Sequence, residues 1–130
     1  MQPSAADGHN PHVPRELEIC CYSVSDAQIA ERFGADRIEL CAGRPEGGTT
    51  ASLGVLRSAI ESLTIPVFPM VRPRGGDFVY DDLEFSAMCD DVRTIAEMGF
   101  RGLVFGILDS SGGVDVGRGR CQVLGRAVDV

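Results

Sequence analysis

Along the chain the apolar residues switch between two periods in a repeating order. Short β-prone runs occupy 17–22, 36–41, 65–71 and 102–108, with the length and residue types of buried strands. Between them the apolar spacing becomes helical. Ser25-Asp26-Ala27-Gln28 offers a capping box for a first helix, which directs Ala27, Ala30 and Phe33 inward and stops at Gly34. Ser52 caps a second, with Leu53, Leu56, Ile60 and Leu63 at helical spacing. A third, over 82–98, sets Phe85, Met88, Cys89, Val92 and Ile95 inward and ends at Gly99. Pro66 and Pro69 sit awkwardly in the third strand run. Residues 116–130 are weakly helical and carry Gly117, Gly119 and Gly125. Residues 1–15, with Pro3, Pro11, Pro14, His9 and His12, read as a disordered, solvated tail.

Four strand–helix units in succession predict an α/β fold, a parallel sheet covered by helices. Each unit spans about 29 residues, the ordinary size of a βα crossover. A complete (β/α)8 barrel takes about 250 residues. The expectation is one domain over 16–130 with four βα units. It is either a small open sheet or the N-terminal half of a TIM barrel.

Composition narrows the function classes. The chain has 130 residues, 44% of them hydrophobic and 24% charged, as in a soluble globule. No apolar run is long enough to span a bilayer, and the N-terminus lacks the basic start and apolar core of a signal peptide. A cytoplasmic setting is expected. The formal net charge is -7 and the pI about 4.7, which disfavours nucleic acid as a partner. All 12 basic residues are arginine, so any cation in a site is a bidentate fork. The five cysteines, Cys20, Cys21, Cys41, Cys89 and Cys121, are odd in number and contain no CxxC pair, which argues against a disulfide framework or a zinc ribbon.

Three groups of residues carry chemistry. Glu18-Ile19-Cys20 recurs as Glu39-Leu40-Cys41, each near the end of a strand run. Side chains alternate along a strand, so each glutamate shares a face with its cysteine. Parallel pairing in register would bring both carboxylates and both thiols together. Paired thiolates are natural ligands for Cu(I); small buried cysteines beside structural carboxylates are the plainer reading. Cys21 faces the other way and belongs to the core, as does Cys89, whereas Cys121 carries no signal. Arg72-Pro73-Arg74-Gly75-Gly76-Asp77 follows a strand, where α/β folds place their ligands. Arg72, Arg74 and the Gly75-Gly76 backbone suit a small anionic ligand. Alternatively the arginines form ion pairs with Glu18, Glu39 or Asp77. Gly47-Gly48-Thr49-Thr50 adds possible backbone donors without a P-loop pattern. Met70 shares the face of Arg72 and either assists a soft metal or fills the core. Glu18 and Glu39 could also act as an acid/base pair with Arg72 or Arg74 orienting a substrate. A metal-binding protein and a barrel enzyme acting on a small anion therefore both stand.

Several segments together resemble the CutC copper homeostasis family: L-E-I-C-C-Y-S at 17–23, G-A-D-R-I-E-L-C at 34–41, E-G-G-T-T at 46–50, S-L-G-V-L at 52–56, I-P-V at 65–67 and R-P-R-G-G-D-F at 72–78. D-V-R at 91–93 and G-F-R-G-L-V-F-G at 99–106 continue the likeness, which covers about 16–116. The resemblance implies a TIM barrel, a cytoplasmic role in copper homeostasis and self-association into a homo-oligomer. It also implies Cu(I) binding through Cys20 and Cys41. Two departures follow. The chain stops before the fifth strand, as a truncated reading frame would, leaving raw sheet edges. Gly117-Arg118-Gly119-Arg120 fits a fourth helix poorly.

Overall fold

The computed structural model describes residues 15–127. Residues 1–14 of the tail expected at 1–15, with His9 and His12, lie outside the described residues. The sheet is formed by β1 (Glu18–Cys21), β2 (Arg37–Leu40) and β3 (Val67–Pro69), parallel and in chain order. The helices are α1 (Val24–Arg32), α2 (Leu53–Ser62), α3 (Asp82–Glu97) and α4 (Val116–Ala127). Chain-order parallel strands joined by helical crossovers are the (β/α)n pattern. The fold is thus α/β, and its units are those of the N-terminal half of a TIM barrel.

The fourth strand differs from expectation. Residues 102–108 occupy the fourth sheet position through one parallel bridge only, Met70 to Val104. The Val71 amide donates to the Val104 carbonyl at 2.7 Å, and Val104 donates back to Pro69 at 2.8 Å. Glycines at 102 and 106 flank that bridge, and glycine weakens a ladder. Gly102 has a second reason to be glycine: the Phe68 ring lies where its Cβ would be, at 2.5 Å. Pro69 is tolerated because its carbonyl does the pairing toward Val104, while Met70 supplies the amide toward Leu40 at 2.9 Å.

Helix starts follow side-chain caps. Ser52 Oγ accepts from the Val55 amide, as the sequence suggests. In α3, Asp81 and Glu84 form a reciprocal capping box. For α1 the cap is Ser23, not Ser25: Ser23 Oγ accepts from Asp26 N at 3.0 Å. The helix begins two residues sooner because β1 ends at Cys21 and the turn is short. Phe33 was expected inside but is 81% exposed. It caps α1 at its C-terminus and lines a cleft along β1, on the side where β1 pairs with no described strand. α4 runs through Gly117 and Gly119 despite their low propensity. Arg118 anchors it, donating to the Tyr80 carbonyl and to Asp82, both at 2.6 Å.

The core lies between sheet and helices. Ile38, Leu40 and Val71 from the sheet meet Ala27, Leu56, Ala59, Met88, Val92 and Ile95 from the helices. Cys21 joins this layer, as expected, and Cys89 is half-buried on α3. Among the described residues, no helix is long and apolar enough to cross a membrane.

Two glycines should respond oppositely to alanine. Gly102→Ala forces a methyl group into the Phe68 ring and should cost about 1–3 kcal/mol. Gly54→Ala, in α2 with nothing within 4 Å of its Cβ position, should stabilise by about 0.5–1 kcal/mol. Urea denaturation of the two variants checks both signs.

Candidate functional site

The sheet face turned away from the helices collects the predicted chemistry, but with a stagger. β1 and β2 pair Glu18 with Arg37, Ile19 with Ile38, Cys20 with Glu39 and Cys21 with Leu40. Partners are thus 19 positions apart, whereas the repeated Glu-x-Cys is 21 apart. The expected convergence of Glu18 with Glu39 is therefore corrected. Glu18 faces Arg37 and forms an ion pair with it, and Arg37 also reaches Glu16 at 3.2 Å. The guanidinium stacks over the Phe68 ring, 4.5 Å from its centroid. A barrel needs this kind of slip between neighbouring strands. As a result Glu18 and Glu39 lie across from different partners and do not form a facing acid/base pair.

The same stagger brings the two thiols together on a diagonal. Cys20 lies across from Glu39, and Cys41, the residue directly after β2, follows Glu39 by two positions and so shares its face. The sulfurs of Cys20 and Cys41 are 3.9 Å apart. Cys20 is exposed, while Cys41 is 1% exposed. Burial, then the neighbouring Cys20, push the Cys41 thiol up to about 12. Its backbone is held by the amide of Cys41 donating to the Cys21 carbonyl at 2.9 Å. Gly48 closes over the sulfur: a Cβ at Gly48 would meet Cys41 Sγ at 3.1 Å, and its φ of +108° independently favours glycine. The neighbouring Cys20 thiol raises the pKa of the Tyr22 phenol above its ordinary value. Among the described residues, no third His, Cys, Asp or Glu gathers around a common point with the pair.

The two arginines after β3 turn inward to protein acceptors. Arg72 is 6% exposed. It donates to the carbonyls of Glu46 at 2.7 Å, Gly48 at 2.9 Å and Gly76 at 2.7 Å. Its plane stacks on Phe78. Its own backbone is tied to Thr50 through the Thr50 hydroxyl and amide. Arg72 thus clamps the two glycine-rich loops onto each other, and its Nε is left with no protein partner. Arg74 pairs with Glu84 and, at 3.2 Å, with Asp77. It also donates to the carbonyls of Gly75, Asp77 and Val79. Of the three carboxylates expected for these arginines, only Asp77 is used. Glu84 was missed because it lies on α3, although the Asp81–Glu84 capping box was readable. Glu84, hydrogen-bonded by Arg74 and then by the Asp81 amide, has its pKa lowered. The Gly75-Gly76 segment packs on Glu46 through Gly75, so it belongs to the same clamp.

Comparison with known proteins places these residues in a family. The sequence profile of the CutC family matches residues 15–127. A relative from Klebsiella pneumoniae subsp. pneumoniae named CutC is 61% identical over 102 residues, 78% of this chain and 41% of its own. One from Salmonella enteritidis, of the same name, is 62% identical over the same shares. The chain thus spans 41% of the length of these relatives. A crystal structure from Streptococcus agalactiae, of a protein named CutC and provisionally assigned to copper homeostasis, matches with a TM-score of 0.80 at 35% identity. It covers 86% of this chain and 55% of that one.

Two predictions follow from the geometry. Arg72→Gln removes three charge-assisted bonds from buried carbonyls, each worth about 1.5–3 kcal/mol, so stability in guanidinium should fall by more than about 3 kcal/mol. Arg74→Gln, at a partly exposed ion pair, should cost a small part of that. The second concerns pH. Cys41 should resist iodoacetamide at pH 8, where roughly one thiol in ten thousand is ionised, and should react about tenfold faster per pH unit above it. Because its folded pKa is raised from 9.0 to about 12, its contribution to stability is complete below pH 9 and is lost as pH rises toward 12. Thermal melts across that window check the sign.

Proposed function

The chain belongs to the CutC family, and on that premise we propose that it takes part in copper homeostasis by binding Cu(I) between Cys20 and Cys41. The observation that carries the reading is the 3.9 Å separation of the two sulfurs. One metal ion bridging two thiolates at about 2.3 Å holds them about 3.8 Å apart in tetrahedral geometry and about 4.6 Å apart in linear geometry. The observed distance lies within that range. Soft thiolates select Cu(I) over harder ions, and a structural zinc would require four ligands. Copper is cargo here, and the ion displaces the thiol protons, so affinity rises with pH. The raised Cys41 thiol extends that dependence to higher pH.

Self-association belongs to the same proposal. Leu17, Ile29 and Phe33 are exposed beside β1, and exposed apolar surface of this kind favours association with a second chain. Sedimentation of the copper-free and copper-loaded chain measures it, and a monomer at all concentrations argues against it.

The test of copper binding is an anaerobic titration against a chromophoric Cu(I) chelator. Cys20→Ser and Cys41→Ser should each lower affinity more than about 100-fold, because losing an outer-shell partner alone costs 10–100-fold. Affinity unchanged in both variants would show that the sulfurs only pack.

A further inference from the structure

Away from the sheet, α3 and α4 bring a second pair of cysteines together. α3 follows β3, and α4 follows the segment that bridges β3 in parallel, so the two helices run the same way. Arg118 fixes how they are aligned. It donates to Asp82 at 2.6 Å, and its guanidinium lies 4.8 Å from the centre of the Phe85 ring. Residues three and four apart share a helix face. Asp82, Phe85 and Cys89 therefore form one stripe along α3, on the flank of its buried row of Met88, Val92 and Ile95. On α4, Cys121 stands one turn beyond Arg118. One turn past the Arg118 contact on both helices, Cys89 thus lies across from Cys121. Gly119 sets the rotation of α4: its Cβ position backs on Phe105 at 3.9 Å, which leaves Cys121 on the outer side of the groove between the helices.

Cys89 is half-buried and Cys121 is exposed. Burial raises the Cys89 thiol, and Cys121 is near enough for its charge to add to that. Helices packed about 8–10 Å apart bring facing Cα atoms within reach of a disulfide. α4 also has reason to need a second tie. Gly117 and Gly119 are poor helix formers in its first turns, and Arg118 anchors only its start.

We propose that Cys89 and Cys121 form a reversible disulfide that latches α4 to α3, made by exchange with a small-molecule disulfide. The exposed Cys121 sulfur, as thiolate, attacks one sulfur of the incoming disulfide, whose S–S bond breaks and releases one small thiolate. The Cys89 sulfur, its proton lost to solvent, then attacks Cys121, and the second small thiolate leaves. Two protein thiols are oxidised and one small disulfide is reduced to two thiols, which take up the two protons. Excess thiol reverses the exchange. The latch uses neither Cys20 nor Cys41 and is independent of the copper reading.

The experiment treats the whole chain with glutathione disulfide and maps its cysteines after trypsin. Peptide 16–32 carries Cys20 and Cys21, 38–57 carries Cys41, 75–93 carries Cys89 and 121–126 carries Cys121. Non-reducing mass spectrometry should show 75–93 joined to 121–126 in a chain that stays monomeric on a non-reducing gel, and dithiothreitol should separate them. The oxidised chain should melt about 10 °C higher than the reduced one. Cys121→Ser, at an exposed position, should abolish that rise and leave the reduced melt unchanged. Glutathione carried singly on Cys121, with no joined peptide, overturns the proposal. So does joining between two chains, or 16–32 joined to 38–57 as the sole product. A joined pair with no rise in melting temperature overturns the latch.

Discussion

The staggered pairing of β1 with β2 decides what this sheet face can do. A register that matched the repeated Glu-x-Cys would set Glu18 against Glu39 and Cys20 against Cys41. The observed register places Arg37 opposite Glu18 and Glu39 opposite Cys20. Like charges are thereby kept apart and a cation is inserted beside the first carboxylate. The thiols meet on a diagonal, through side chains that lean toward each other from neighbouring strands. Diagonal neighbours are further apart at the backbone than directly facing pairs, while their sulfurs come within 3.9 Å. A face that could have been an acid/base site becomes one with a soft donor pair and a neutralised carboxylate.

A second constraint holds that pair in place. Arg72 is buried in the middle of the loop layer and bonds three backbone carbonyls, two from the loop after β2 and one from the loop after β3. One of them is Gly48, the residue that covers the Cys41 sulfur. A buried guanidinium is tolerable only when its donors are met, and backbone carbonyls meet most of them. Arg72, a candidate anion receptor in the sequence, donates to the carbonyl of the residue that covers the Cys41 sulfur. Its role passes through positioning: it fixes the loop that fixes the sulfur.

The order of strands and helices was legible in the periodicity, because an apolar stripe of period two or near 3.6 has few other uses. The start of α2 was legible in its Ser52 cap, and that of α3 in its apolar spacing from 82. What failed was decided by partners distant in sequence. Ser23 and Ser25 are both plausible caps, and only the length of the turn after β1 chooses between them. Phe33 continues the apolar stripe of α1, yet it faces an open edge. The run at 102–108 has the composition of a strand, but Gly102 and Gly106 and the intruding Phe68 ring reduce it to one bridge. Register was the least readable feature of all. The repeated motif suggested one value, and barrel stagger, which depends on the whole sheet, imposed another. The cysteines were nevertheless identified correctly as neighbours on one face, because alternation along each strand survives a slip of two. Glu84 and Arg37 escaped notice as partners, although Arg37 lies two before Glu39 and so shares its face.

On the proposed reading, the staggered sheet makes Cys20 and Cys41 a single soft-metal site. Its most direct test is anomalous diffraction at the copper edge from crystals of the chain loaded anaerobically with one equivalent of Cu(I). The account predicts one dominant anomalous peak, within bonding distance of both sulfurs and beside Gly48. A dominant peak elsewhere in the chain, with the two thiols undisturbed, would contradict it.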